Sequence, residues 1–316
     1  MKRTVLFVVR SVGSGLLIAA QLAPLGSTAC LNEYSTSLSG KVVMDEGGHC
    51  PLSAHAIDRG SLAAKLDSLD ALAATNGASY ENLSDRGVVL VYLGRYEEAI
   101  AQFRKLQSKG FDGYAVCANI GTAFELIGQN DSALYYIREA VRQNPTAHEG
   151  SEWIHVKVLE RKVAWQKDPT IKGSLLGVDF GDGELPVEPK GIDLREFRRH
   201  LRYQLQERMT FVRAPDPVVG ELLFELGNVE ALLNSVECAV DVYKVAAEYG
   251  NASPLFTLRY AKLDGMTNKA AILNAIHPAT DQKANWITYA FYGTLAAVPV
   301  LLLWGLFRLV RRRRAG

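Results

Sequence analysis

The stretch LGRYEEAIAQF, Leu93 to Phe103, decides the fold. Gly94 ends one helix, because a residue without Cβ takes the left-handed conformation that closes a helix. Tyr96, Ala99 and Phe103 then lie on one face of a second helix, and Ala99 is small where that helix packs closely on the first. Upstream, Gly87 lets the first helix approach its partner. The spacing recurs 34 residues later: Gly87 maps to Gly121, Gly94 to Gly128 and Ala99 to Ala133. Ile137, Ala140 and Pro145 complete the second copy, and Pro145 stops the helix it would otherwise extend. A 34-residue period of helix pairs predicts an array, since a short pair cannot bury its apolar face alone.

The period, the small residues at the helix crossing and the turn glycines resemble the tetratricopeptide repeat (TPR). That resemblance implies an all-α, TPR-like α-solenoid of helix pairs. It also implies a concave groove, lined by the first helix of each pair, that receives proteins or peptides. The inward positions are Tyr92, Asn119, Thr122, Glu125 and Asn228. Relatives that grip a peptide carboxylate use Lys, Asn and Arg on this face. Ser84, Val88 and Tyr92 stand at the matching places of the first repeat, which argues against such a clamp and for a basic or polar partner. The segments CLNEY (30–34), HEGSEWIHVKVLE (148–160) and LGVDFGDGELP (176–186) are similar to bacterial envelope proteins carrying these repeats.

Away from 80–145 the match thins. Leu62, Leu66, Leu69 and Leu72 predict a helix over 61–74. Thr146–Lys167 reads as one more first helix, and LLGVDFGDGELPVEPKG (175–191) as a Gly- and Pro-rich acidic loop. Leu194, Phe197, Leu201 and Leu205 restore a helix, and Gly227, Ala239, Tyr243 and Ala246 fit a third repeat. A last helix covers 255–275. The expected layout is a signal peptide at 1–29 and an irregular cap at 30–56. TPR-like repeats follow at 57–168, a loop at 169–192 and a second helical segment at 193–277. A linker at 278–285, a transmembrane helix at 286–310 and a basic tail at 311–316 complete it.

Charge supports that layout. The 316 residues carry a formal +1, but residues 1–29 and 285–316 hold eight basic residues and no acid. Without those eight, 27 basic residues face 34 acidic ones, a net −7, which excludes the basic footprint of nucleic-acid binding. Lys2 and Arg3, the apolar run around Leu16–Ala20 and the small residues Ser27-Thr28-Ala29 form a secretory signal. Ala284–Phe307 is free of charge over 24 residues, long enough to cross a bilayer. Trp286, Tyr289 and Trp304 stand near its edges, and Arg311–Arg314 follow it, which places the tail in the cytoplasm and residues 30–284 outside.

No catalytic motif is present, so the chain reads as a scaffold and not an enzyme, and nothing calls for a cofactor. Cys30 offers two fates: lipidation as the first mature residue, or a disulfide with Cys50 closing a loop of about 20 residues. Cys117 and Cys238, at core-like helical positions, read as buried thiols. His148, Glu152 and His155, spaced i, i+4, i+7, share one face of a helix. They are the metal candidates of an alternative reading, a metal-dependent envelope enzyme. Asp179, Asp182 and Glu184 lack the spacing of a calcium loop and read as a solvated acidic turn. The expectation is therefore a single-pass membrane protein whose exported repeat domain binds an envelope protein or peptide in its groove.

Overall fold

The computed structural model describes residues 33–45, 50, 52, 54–75 and 78–267. The chain divides into a small unit, 1–33 with 44–48, and a large one, 34–43 with 49–316. Of the small unit only Glu33, Met44 and Asp45 are described, as the ends of two strands. The signal at 1–29, Cys30 and the span at 286–310 lie outside the described residues. Among those described, no helix is long and apolar enough to cross a membrane.

Two short strands, β1 (Glu33–Thr36) and β2 (Val42–Asp45), form a two-stranded sheet, and helices follow. They are α1 (Arg59–Ala74), α2 (Tyr80–Tyr92), α3 (Tyr96–Gln107), α4 (Tyr114–Leu126) and α5 (Asn130–Gln143). After a 3₁₀ turn at His148–Gly150 come α6 (Glu152–Lys167), α7 (Leu194–Phe211), α8 (Pro217–Leu233), α9 (Val236–Glu248) and α10 (Pro254–Met266). Polar caps start them where the sequence supplies them: Ser79 with Asn82 makes a capping box, and Asp193, Asp216, Ser235 and Ser253 accept first-turn amides.

The pairing rule read from Leu93–Phe103 is visible in three places. A Cβ on Gly87 would lie 2.5 Å from Phe103 Cζ, one on Gly121 2.7 Å from Ile137 Cδ1, and one on Gly227 2.1 Å from Tyr243 Cε1. In each pair the glycine meets the large residue sixteen positions later. The alanine between them, Ala99, Ala133 or Ala239, is fully buried. The pairs are thus α2–α3, α4–α5 and α8–α9, and each is closely packed. Gly94 and Gly128 turn between paired helices at φ +81° and +78°.

Two cores result. Leu66, Leu90, Phe103, Ile120, Phe124 and Ile137 belong to the first, and Leu201, Leu205, Leu222, Leu226 and Tyr243 to the second. Helix α6 serves both, with Leu159 in the first and Ile154 and Val158 in the second.

The stretch 169–192 is irregular, and Asp179, Asp182 and Glu184 in it are exposed, but Leu175, Leu176, Val178 and Phe180 are buried in the second core. Two expectations change. Cys238 is not a free thiol. It is bonded to Cys50 across 188 residues with Cα atoms 5.3 Å apart, so Cys50 is not available to Cys30. Finally, His148 is not on a helix with Glu152. His148 and Glu149 have φ +51° and +59°, and α6 starts after them. Cys117 is a buried free thiol.

The N-terminal segment lies on the second core. Thr36 N–H and Oγ1 donate to Glu237 on α9 at 2.7 and 2.8 Å. His55 N–H donates to Thr210 Oγ1 at 2.9 Å on α7, and Leu52 and Ala54 pack beside them.

Candidate functional site

A pocket opens where α4, the 3₁₀ turn, α6 and α7 meet. Thr122, Glu125 and Leu126 come from α4, and His148, Glu152 and His155 from the turn and α6. Gln204, Glu207, Arg208 and Phe211 come from α7. Its volume is about 90 Å³, room for a few small groups.

Glu125 is the hub. Its Oε1 accepts from Arg208 Nη1 at 2.5 Å and Lys162 Nζ at 2.7 Å, and its Oε2 is 2.7 Å from His155 Nε2. Burial pushes this carboxyl up, but Arg208, His155 and Lys162 together hold it well below the usual carboxylate range. His155 is held at its other ring nitrogen by Glu152 Oε2, 3.5 Å away. Burial lowers the His155 imidazole and Arg208 opposes its charge, but the hydrogen bond and charge of Glu125 with the Glu152 contact together outweigh them, and the ring titrates above its ordinary value. Glu152 Oε1 pairs with His148 Nδ1. Despite burial, the bonds from His148 and His155 keep the Glu152 carboxyl down at about 2. The same Glu152 contact raises His148. The His148 ring stacks on Tyr203 at 5.3 Å, and its Nε2 is 3.5 Å from Tyr114 Oη.

One buried atom in this pocket, the donor Arg208 Nε, has no hydrogen-bond partner, and the acceptor Glu152 Oε2 has only its 3.5 Å ion-pair contact with His155. They stand beside apolar Leu126, Phe211 and Val212.

The predicted residues separate into two places. Thr122 and Glu125, read as groove positions, and His148, Glu152 and His155, read as metal candidates, line this one pocket. Tyr92 is half-buried next to it, its ring 5.1 Å from Phe211, and Asn119 is half-buried one turn before Thr122. Asn228 is elsewhere. It is 1% exposed in the second core, and its Oδ1 accepts from Tyr243 Oη at 2.7 Å and Arg259 Nη1 at 2.9 Å. The two imidazoles flank Glu152, one at each of its oxygens, and His155 also bonds Glu125; no metal-competent group of three occurs among the described residues. The donor set therefore fits an ion-pair network better than a metal site.

Lys162, Gln204, Glu207 and Arg208 were not read from sequence. A signal for the α7 residues exists: His200, Gln204 and Arg208 recur every fourth residue beside the apolar stripe Phe197, Leu201, Leu205.

No family model matches the chain, and no curated protein matches it. Among solved structures it is similar to the C-terminal part of a TPR repeat-containing protein from Cytophaga hutchinsonii. There the identity is 14%, the match covers 74% of this chain and 84% of that one, and the TM-score is 0.34. A tetratricopeptide repeat protein from Parabacteroides merdae is also similar, with 14% identity, 66% and 94% coverage and a TM-score of 0.30. Among the described residues, three glycine-on-large-residue crossings make the helical part an array of TPR-like helix pairs.

Proposed function

We propose that this chain is a membrane-anchored, extracytoplasmic scaffold that binds a segment of an envelope protein or peptide on its inner face. The observation that carries the reading is the pocket between α4, α6 and α7. It offers one buried unpaired donor, Arg208 Nε, and an acceptor, Glu152 Oε2, met only by a long contact from His155, next to an apolar wall. A peptide group supplies both complements, and leaving the donor unpaired is costly. Half-buried Tyr92, Asn119 and Thr122 would form the approach. The ion pairs around Glu125 fix its walls in advance, so less is lost on binding.

The anchor would be residues 286–310 and the export address residues 1–29. The Cys50–Cys238 disulfide supports export, because such bonds persist in oxidising compartments. Confinement to a membrane surface would raise the effective concentration of a partner held on the same surface.

The test is photo-crosslinking in membranes from residue 119, followed by identification of what is captured. Thr122→Arg, which places a cation at the pocket mouth, should cut the captured partner by about tenfold at unchanged thermal stability. Undiminished capture in that variant would sink the inner-face reading. A phosphatase reporter active only after export, fused after Arg314, should be inactive; activity would overturn the orientation.

A further inference from the structure

Within the segment 171–182, Leu175, Leu176, Val178 and Phe180 are buried, and beside them lies a second cavity. Arg259, 1% exposed, holds the segment against α8 and α10. Its Nε donates to Gly183 O at 3.0 Å, its Nη2 to Phe180 O at 2.8 Å and to Gly181 O, and its Nη1 to Asn228 Oδ1. Between this strapped loop, α8 and the start of α10 lies a cavity of about 690 Å³, within the range of small-ligand sites. Leu175, Val178, Phe180, Phe224 and Leu255 give it apolar walls.

Glu225 reaches it from α8. This side chain is 5% exposed, and its Oε1 is held by Ser174 Oγ at 2.8 Å and by the Leu176 amide at 3.4 Å. Its Oε2 has no hydrogen-bond partner. A buried carboxylate oxygen left bare is expensive unless something arrives to meet it.

The charge balance says what arrives. Four carboxylates line the cavity: Asp179, Asp182, Glu221 and Glu225. Lys172 and Arg259 line it too, and Arg161 pairs with Glu221 at 3.1 Å. With Glu225 ionised, one negative charge is uncompensated, and the bare oxygen belongs to Glu225. A single positive group neutralises the cavity, whereas an anion doubles the imbalance.

We propose that this cavity binds an alkylammonium group on an apolar stem, with the cation on Glu225 Oε2 and the stem against Phe224, Leu175 and Val178. Two sources share that chemistry, a lysine side chain in a partner peptide and a free alkyl amine. The site is separate from the Glu125 pocket and does not rest on the role given to it.

Proton linkage follows. Burial pushes the Glu225 carboxyl up to about 7, against the hydrogen bonds of Ser174 and Leu176, with Glu221 raising it further and Arg161 opposing. Lys172, Arg259, Asp179 and Asp182 are the other charged groups at the cavity. An arriving cation displaces the proton, so binding strengthens as pH rises through that value.

The experiment titrates the full chain in mild detergent by calorimetry with three probes: acetyl-Ala-Lys-Ala-amide, its norleucine analogue and cadaverine. The lysine peptide should bind at least about tenfold more tightly than the norleucine peptide. Its affinity should rise several-fold from about pH 6 to about pH 8. Glu225→Gln should remove both effects, and Glu184→Gln, at an exposed carboxylate outside the cavity, should leave them. Cadaverine binding as tightly as the peptide would assign the site to a free amine; weaker binding would assign it to a peptide lysine. Equal affinity for the lysine and norleucine peptides, or no saturable binding of either amine, would overturn the proposal. Because the native chain supplies the norleucine and pH comparisons, a poorly folding Glu225→Gln would not rescue it.

Discussion

Replacing Glu125 by Gln keeps the shape of the hub and removes its charge. Arg208, buried, and Lys162, whose side chain is 19% exposed, then lose their counter-ion, and buried His155 loses the nearer of its two and keeps Glu152 at 3.5 Å. Lys162 can turn to water, so its share of the loss is small. Arg208 cannot, and removing one member of a buried pair costs about 3–5 kcal/mol. His155 makes the cost depend on pH. Its folded-state value is raised, so its stabilisation is complete below its unfolded value, about 6.5, and is lost as pH rises through the folded value. Glu125 is depressed, so its stabilisation is complete above its unfolded value, about 4.3, and is lost as pH falls through the folded value. The network is therefore strongest between about pH 4.5 and 6.5. In urea denaturation followed by circular dichroism, Glu125→Gln should lose about 3–5 kcal/mol near pH 6. It should lose less near pH 8, where the variant's His155 sheds its proton. A loss under about 1 kcal/mol near pH 6, or one that grows toward pH 8, would refute the idea that Glu125 holds these charges.

Gly227→Ala should cost about 1–3 kcal/mol, because its Cβ would overlap the Tyr243 ring; a melting temperature unchanged from the native one would contradict the close α8–α9 crossing. Gly94→Ala meets no atom within 4 Å but sits at φ +81°, so its cost should stay near 1 kcal/mol in the same melt. Cys50→Ser and full reduction should destabilise the chain equally, by up to about 5 kcal/mol in the chain-entropy view of a 188-residue separation. Non-reducing peptide mapping should return a fragment joining residues 50 and 238, and one joining 30 and 50 would disprove that pairing. Arg259→Lys cannot span four oxygens at once, so limited proteolysis should cut within 171–187 about tenfold faster than in the native chain.

The helix pairs were legible because their signal is local and periodic. Gly87, Ala99 and Phe103 announce a close crossing within one short stretch, and the same triplet recurs at Gly121 and Gly227. What was missed depends on distance in space. Cys238 occupies a helical core position and reads as a small apolar residue; only the folded chain brings Cys50 to it. Leu175, Leu176, Val178 and Phe180 were hidden by glycines and prolines, which mark turns whether or not the turn is buried. A loop can carry buried side chains when a distant group such as Arg259 satisfies the carbonyls that its irregular backbone exposes. Of the candidate site, Thr122, Glu125, His148, Glu152 and His155 were each singled out, under two unrelated arguments. Their meeting in one pocket was not foreseen, because α7 and its Arg208 enter from a segment more than forty residues beyond His155.

The bond between Cys50 and Cys238 makes a ring of everything from α1 to α8. Stacked repeats ordinarily fray from their ends, where a unit has one neighbour. Here the segment preceding the first helix is fastened to α9, so a backbone cut anywhere inside the ring leaves one covalent molecule until a reductant arrives. Synthesis has a direction, and Cys50 emerges long before its partner. The ring can be sealed only once Cys238 has followed, after every helix from α1 to α8 has been synthesised.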